Sequence, residues 1–389
     1  MPLRRTAGVL SAMKKLAPVT TTLTIGLVGA TAPASGASAP ARTEAAPAAT
    51  HAAGPKPPTG KVAITEAGST LLEPLFGLWA AGYHKKYANV TITPSGGGSG
   101  EGISDAAGGT VDVGASDAYL SGTDKAQYPG LRNIALAISS QMVNYNIKGV
   151  APSTHLKLTG PLLAEMYQGK VTNWDDPAIK KLNPTVKLPN EAIAPLHRSD
   201  ASGDTFLFTT YLSDADAGAW GKSIGYGTSV SFPNLPGALG EEGNGGMVSG
   251  CKATPGCVAY IGISYRSDTN SAHLGEAELR NKAGHFELPV AATITAEAGA
   301  FTTKTPESEA ISMIYGSAAK GYPIINYEYA IVPAKERSSN EAQAVAAFLD
   351  WAVQRSGGNA SKYLSQVNFE PLPAQVVSLS EKLIAKIGG

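Results

Sequence analysis

Chemistry-bearing patterns are scarce in this sequence, and each absence removes a class of function. The six histidines (His51, His84, His155, His197, His273 and His285) are scattered with no pair at helical spacing, so they read as surface or packing residues and not as a metal site. Cysteine occurs only at Cys251 and Cys257, with no histidine near them in sequence to complete a ligand set. No Gly-x-Ser-x-Gly elbow surrounds Ser99 or Ser202, and no activating base or metal pair accompanies the Ser and Thr turns, which weighs against a hydrolase. The glycine-rich stretch Gly96 to Gly102 matches neither Gly-x-Gly-x-x-Gly nor a P-loop, which argues against nucleotide phosphate. Charge shows no excess either: 31 Lys and Arg balance 31 Asp and Glu. Six of the basic residues and one acidic residue fall in residues 1–60, leaving 25 against 30. A mildly acidic body is no nucleic-acid surface and no broad anion funnel, so any anion must be held locally.

The N-terminus speaks to the compartment. Arg4, Arg5, Lys14 and Lys15 precede a modest apolar core, Leu23 to Ala30, and small residues ending in Ala37-Ser38-Ala39, the pattern of a secretory signal over residues 1–39. Met13 is an alternative start. The apolar core is too short to remain in a bilayer as a spanning helix, and Arg4-Arg5 lack the flanking residues of a twin-arginine signal, so export by a plain basic leader is expected. Residues 40–60 are mostly Ala, Pro, Thr and Gly and cannot bury enough surface to offset ordering, which predicts a flexible tether and a folded body from Lys61. In an exported chain the Pro255-Gly256 turn favours a disulfide between Cys251 and Cys257; a metal pair is the alternative.

Past residue 60, some 330 residues exceed what one hydrophobic core usually serves, so two lobes are expected. Strand-like runs at Val62–Ile64, Val90–Ile92, Val111–Gly114, Ile134–Ile138, Ala192–Leu196, Val258–Ile261 and Ala330–Val332 alternate with helical stretches at Leu71–Lys86, Gly160–Gln168, Ser308–Tyr315, Ala342–Arg355 and Ala374–Ile387, an α/β pattern.

Three Gly- and hydroxyl-rich turns open helices: Thr65 to Thr70, Gly96 to Gly102, and Arg198 to Thr205. Each presents free backbone N–H groups, a capping hydroxyl and the positive end of a helix dipole. Singly, such a turn is an ordinary N-cap; three of them, one carrying an arginine, point to convergence on a small anion.

The segments Glu66-Ala67-Gly68-Ser69-Thr70, Gly98-Ser99-Gly100-Glu101-Gly102, Val113-Gly114-Ala115-Ser116-Asp117-Ala118, Tyr167-Gln168-Gly169-Lys170 with Asn173-Trp174-Asp175-Asp176, and His197 to Phe206 carry a resemblance. In order and spacing they resemble the phosphate-binding proteins (PstS type) of Pst-type ABC transporters, from Val62 to Ile387. The Asp204-Thr205-Phe206 continuation, the Cys251 to Cys257 loop and Gly321 to Tyr327 are most similar to the cell-envelope phosphate-binding lipoproteins of Gram-positive bacteria, including mycobacteria.

That resemblance implies a two-lobed periplasmic-binding-protein fold of type II, with two crossover strands and a ligand cleft between the lobes. On this chain it places one lobe at 61–143 plus 327–389 and the other at 144–326. It implies that the hydroxyl and N–H of Thr70, the N–H of Leu71, Ser99, Asp117, Arg198, Ser202 and Gly203 bind phosphate, with Thr205 a further ligand. Asp200 matches an aspartate that braces the arginine. Asp204 stands where the widespread pattern has a threonine ligand, so it too is expected to act from behind the contact residues. Read alone, Thr70, Asp117, Asp204 and Thr205 would serve as helix caps, and Arg198 with Asp200 as a surface ion pair. Asp117 is the sharpest of them, because a carboxylate suits an anion site only if the ligand carries a proton to donate; hydrogen phosphate has one and sulfate does not.

The resemblance further implies a non-enzymatic, cofactor-free monomer that passes inorganic phosphate to a membrane permease with its cytoplasmic ATPase. A receptor for another tetrahedral oxyanion and an exported phosphatase are the alternatives. One departure concerns anchoring: Leu27-Val28-Gly29-Ala30 is followed by Thr31 where the lipoproteins have a lipidated cysteine. Release, or retention at the envelope by other contacts, is therefore expected.

Overall fold

The computed structural model describes residues 54–333 and 339–388. The expected signal at 1–39 and the tether as far as 53 lie outside the described residues. The tether's last stretch, 54–60, forms no helix or strand yet holds to the body: Asn89 Nδ2 donates to Pro58 O at 2.7 Å and to Gly60 O at 2.8 Å, and Gln343 Nε2 to Lys56 O at 2.8 Å. Attachment thus begins before Lys61, through backbone carbonyls that a Pro-rich segment still offers.

Among the described residues the strands are β1 (Val62–Gly68), β2 (Val90–Thr93), β3 (Val113–Ser116), β4 (Leu131–Asn146), β5 (Lys157–Leu158), β6 (Ala194–Arg198), β7 (Leu239–Glu241), β8 (Cys257–Gly262), β9 (Gly275–Glu276), β10 (Glu278–Arg280), β11 (Phe286–Glu287) and β12 (Ile325–Pro333). One sheet runs β2-β1-β3-β12-β4-β8-β6-β7, with β9 also on β4, and a second runs β11-β10-β5. Parallel pairs β1·β2 and β1·β3 on one side, and β6·β8 and β6·β7 on the other, are joined through the antiparallel pair β4·β12.

β4 makes that junction. Its first part pairs with β12 from Leu131 to Ser140, and its last part pairs with β8 from Gln141 to Asn146. Nearly every β4 residue is buried, because both faces of the strand are covered. The lobe boundaries expected at 143/144 and 326/327 fall inside β4 and β12, close to this hand-over. Each side has its own aromatic core: Phe76, Trp79, Tyr83 and Phe348 cluster on one, and Tyr167, Phe208, Phe232 and Tyr260 on the other. Each fully buried ring contributes about 1.5–3 kcal/mol.

The helix expected over Ser308–Tyr315 is absent; 305–324 is an irregular segment. Glu309 explains why. Its backbone has φ +55°, and its buried carboxyl group is hydrogen-bonded to Ala135 N at 2.7 Å and to Ser380 Oγ at 2.7 Å, so tertiary contacts override local helical pattern. Cys251 and Cys257 form a disulfide, with Cα atoms 5.3 Å apart, tying the helix Gly243–Ala253 to β8.

Candidate functional site

The three turns noted in the sequence sit at the ends of β1 and β6 and ahead of the helix Ser99–Gly108, and the fold brings them together with the end of β3. After β1, Ser69 rather than Thr70 closes the turn ahead of the helix Glu73–Lys86: its Oγ accepts from Leu71 N at 3.1 Å and Leu72 N at 3.0 Å. The same hydroxyl donates to Asp117 Oδ1. Ser99 Oγ donates to the other carboxylate oxygen at 3.4 Å and accepts from Asp117 N at 3.1 Å. Asp117 caps no helix, since the following one, Gly122–Gln127, is capped by Ser121. Instead it lies buried, held by hydroxyls from both neighbouring turns.

Arg198 ends β6 with its guanidinium buried. Nε donates to Asp200 Oδ1 at 2.6 Å, Nη2 to Asp200 Oδ2, and Nη1 to Asp204 Oδ2 at 2.7 Å. The bidentate Asp200 grip uses one edge of the planar fork and fixes where the other points. Ser202 caps the helix Gly203–Ala215, accepting from Thr205 N at 3.4 Å, while Thr205 Oγ1 sits 2.8 Å from Tyr260 OH. Tyr260 also accepts from Arg198 N at 2.9 Å, so it anchors both ends of this turn.

The two lobes meet at these residues. A methyl group on Gly203 would lie 2.4 Å from both Asp117 Oδ2 and Ser99 Oγ, so only glycine fits there. Gly98, at φ +100°, backs onto Asp200 and Ala201, and Gly100 N donates to Ala201 O at 2.8 Å. Thr70 Oγ1 accepts from Asn244 Nδ2 at 3.0 Å and Asn244 N at 3.2 Å, and Tyr119 meets Phe206 edge-on at 5.4 Å. Every candidate contact residue, Thr70, Leu71, Ser99, Asp117, Arg198, Ser202, Gly203 and Thr205, belongs to this junction. In the arrangement described, the Leu71 N–H is engaged by Ser69 and the Thr205 hydroxyl by Tyr260.

Sequence reasoning passed over several of the residues that build the site. Asn244 bridges Thr70 and Asp204, donating to Asp204 Oδ2 at 2.6 Å, and Gln141 Nε2 reaches Asp204 Oδ1 at 3.0 Å. From β12, Asn326 donates to Asp117 O at 2.5 Å, and Glu328 lies within hydrogen-bonding reach of the Asp117 carboxyl. The alternation of Asn326 and Glu328 with Tyr327 and Tyr329 in a buried strand was a usable signal, since a strand puts every second residue on one face.

Electrostatically the cluster is crowded with carboxyls. Burial pushes Asp117 up, against the lowering hydrogen bond from Glu328, that from Ser69, the Arg198 charge and the hydrogen bond from Ser99. Burial and then the Asp117 charge push Asp204 up to about 7, although Arg198, Asn244 and Gln141 favour its charged form. For Arg198, burial alone would weaken the charged form; Asp200 and Asp204 more than reverse that. A cavity of about 210 Å³ opens beside this cluster, lined by Thr70, Glu73, Gly96, Gly97, Asp200, Glu242 and Gly243. Its acidic lining leaves attraction of an anion to the donors inside. A larger cavity, about 550 Å³, contains Arg266 and Arg355 and shares no residue with the cluster. Among the described residues no group of three or more His, Cys, Asp and Glu side chains is arranged to hold a metal ion, and no helix is long and apolar enough to cross a membrane.

Residues 34–356 match the family model of a PBP superfamily domain. The chain is 34% identical over 322 residues to the phosphate-binding protein PstS of Methanocaldococcus jannaschii, covering 77% of this chain and 79% of that protein. It is 31% identical over 334 residues to PstS3 of Mycobacterium bovis (82% and 85%), and 30% identical over 323 residues to PstS of Xylella fastidiosa (83% and 85%). Among solved structures, a high-affinity periplasmic phosphate-binding protein (PfluDING) bound with phosphate superposes with a TM-score of 0.64 at 20% identity, over 83% of this chain and 93% of that one. A phosphate-binding protein from Stenotrophomonas maltophilia gives 0.63 at 20% identity, over 83% and 94%. These likenesses identify the fold as a two-lobed periplasmic-binding-protein fold. The chain belongs to the PBP superfamily and, within it, to the PstS family of phosphate-binding proteins.

Proposed function

We propose that the chain binds inorganic phosphate between its two lobes, outside the cytoplasm, and delivers it to an ABC transporter permease without chemical change. The family membership supports this, and the observation that carries the choice of ligand is Asp117: a buried carboxylate in a nest of hydroxyl and N–H donors. Hydrogen phosphate offers its proton to that carboxylate and its remaining oxygens to the donors. Ser99, Ser202, Thr70, Thr205 and the N–H groups of Leu71 and Gly203 supply dipoles, and the outer edge of Arg198 the one positive charge. With Asp117, Asp200 and Asp204 beside that single guanidinium, the dianion is held mainly by oriented dipoles, which need no counter-charge. Ser69 holds Asp117, Asp200 and Asp204 hold Arg198, and Leu71 N–H and the Thr205 hydroxyl turn to the ligand by exchanging their present partners. Closure traps phosphate; the permease releases it by favouring the open state.

Equilibrium dialysis with radiolabelled phosphate tests the reading. One phosphate per chain, displaced by arsenate, is expected, with no product from a chromogenic phosphomonoester. Phosphomonoester turnover abolished by Ser99→Ala would instead favour an exported phosphatase.

A further inference from the structure

Glu328 is an unexplained acid in the middle of the crossover strands. It is fully buried on β12, directly after Asn326 and Tyr327 and next to the register shift between Glu328 and Tyr329. Ser139 Oγ, from β4, donates to Oε1. Among the described residues no donor is directed at the buried Oε2, whose neighbour is the Asp117 carboxyl. Two bare carboxylates in one buried place repel strongly, so a proton belongs between them. The other charged groups acting on the pair are Asp204, which adds to the repulsion, and Arg198, which acts on Asp117.

We propose that Glu328 is a positioning residue for ligand discrimination: as a neutral acid it donates its Oε2 proton to Asp117 and thereby keeps Asp117 an acceptor toward the cleft. The partners divide the two carboxyls by role. Asp117 accepts from Ser69 and Ser99 and sits near Arg198, surroundings that favour its charged form; Glu328 takes a hydroxyl donor from Ser139 and, among the described residues, no cation favours its charged form. Burial and then the Asp117 charge push Glu328 well above the usual carboxylate range, in agreement with that division. If the proton sat on Asp117 instead, that group would present an O–H, and a fully deprotonated oxyanion such as sulfate would fit. A neutral acid on a crossover strand thus sets which oxyanion the cleft accepts. This inference rests on the phosphate reading above for its ligand arm only.

Two measurements test it. Infrared difference spectra of unliganded wild type and Glu328→Gln at neutral pH should show a protonated-carboxyl C=O band that the variant lacks; absence of such a band overturns the proposal, whatever the ligand proves to be. In competition dialysis, Glu328→Gln keeps an N–H donor toward Asp117 and should retain the preference for phosphate over sulfate. Glu328→Leu removes the donor, so the buried Asp117 takes up the proton itself, and the sulfate-to-phosphate affinity ratio should rise by about tenfold or more. A merely structural role would weaken both anions together, and an unchanged ratio in a folded Glu328→Leu overturns the proposal. Should Glu328→Leu not fold, the infrared band decides. Failure of the wild type to bind phosphate at all would overturn the function above while leaving the band as the test of the proton's place.

Discussion

At the scale of single residues, the site is a set of short-range hydrogen bonds whose types were readable in the sequence more easily than their directions. Arg198 ends β6 and Asp200 stands in the bend just beyond it, close enough in sequence for the carboxylate to fold back on the guanidinium. Asp117 stood out because a carboxylate among anion-binding turns demands an explanation. Which of Ser69 and Thr70 faces Asp117 did not follow from the pattern Gly68-Ser69-Thr70, because the close crossing of Gly68 (φ +138°) against Ala115 of β3 sets the chain direction there, with Ser69 on Asp117 and Thr70 on Asn244. Asn244 and Tyr260 come from distant segments and carry no local signal of their role. Arg198→Ala removes the buried guanidinium and leaves Asp200 and Asp204 with neutral hydrogen-bond donors but without their ion-pair partner. Loss of a buried charge-assisted contact costs about 2–5 kcal/mol, so phosphate affinity in dialysis should fall by tenfold or more with the circular dichroism spectrum retained. Unchanged affinity would remove Arg198 from the site.

At the scale of elements, β4 and β8 were legible as continuous apolar runs because both faces are covered, and the helix Ala374–Ile384 by its amphipathic period. The expected helix at 308–315 failed because Glu309 holds the segment by contacts with β4 and the C-terminal helix, which no local window contains. Burial pushes Glu309 up to about 8. The sign follows: the folded state holds a proton that the unfolded state releases near its ordinary value of 4.5. Its contribution is therefore complete below that value and lost as pH rises toward 8. Glu309→Gln keeps an acceptor for Ala135 N, and Ser380 can turn to accept from the amide. The wild-type Tm should fall between pH 5 and 8 more steeply than that of Glu309→Gln; parallel slopes would contradict a buried neutral acid there. Gly203, at the first position of its helix, tests the junction between turns. Gly203→Ala would press a methyl group on Asp117 and Ser99, so phosphate affinity should drop by about ten- to hundredfold, the equivalent of roughly 1–3 kcal/mol of overpacking, while the ligand-free Tm changes little. Full affinity would show that the turns do not close so tightly on the ligand.

At the scale of the whole molecule, length predicted two lobes and the alternation of elements predicted an α/β fold, but the exchange of partners along β4 was invisible locally, since pairing joins residues far apart in sequence. Two lobes joined by crossover strands, with donors from both at one junction, imply closure coupled to binding. Phosphate should lower the radius of gyration in small-angle scattering and raise the Tm with its concentration, because the closed folded state alone engages both sets of donors. Identical scattering curves with and without saturating phosphate, after removal of carried-over ligand, would count against a hinge.

The central claim, that a buried carboxylate selects a protonated tetrahedral anion, is tested most directly by competing sulfate against radiolabelled phosphate at neutral pH in the wild type and in Asp117→Asn. Sites that require a hydrogen bond an analogue cannot make discriminate by roughly 10⁴–10⁵, so sulfate in about thousandfold excess should leave wild-type phosphate binding nearly intact. In Asp117→Asn the amide can turn its N–H₂ toward a deprotonated oxygen, and sulfate should gain relative to phosphate. Equal competition by sulfate in the wild type would contradict the role of Asp117 and leave a general oxyanion receptor.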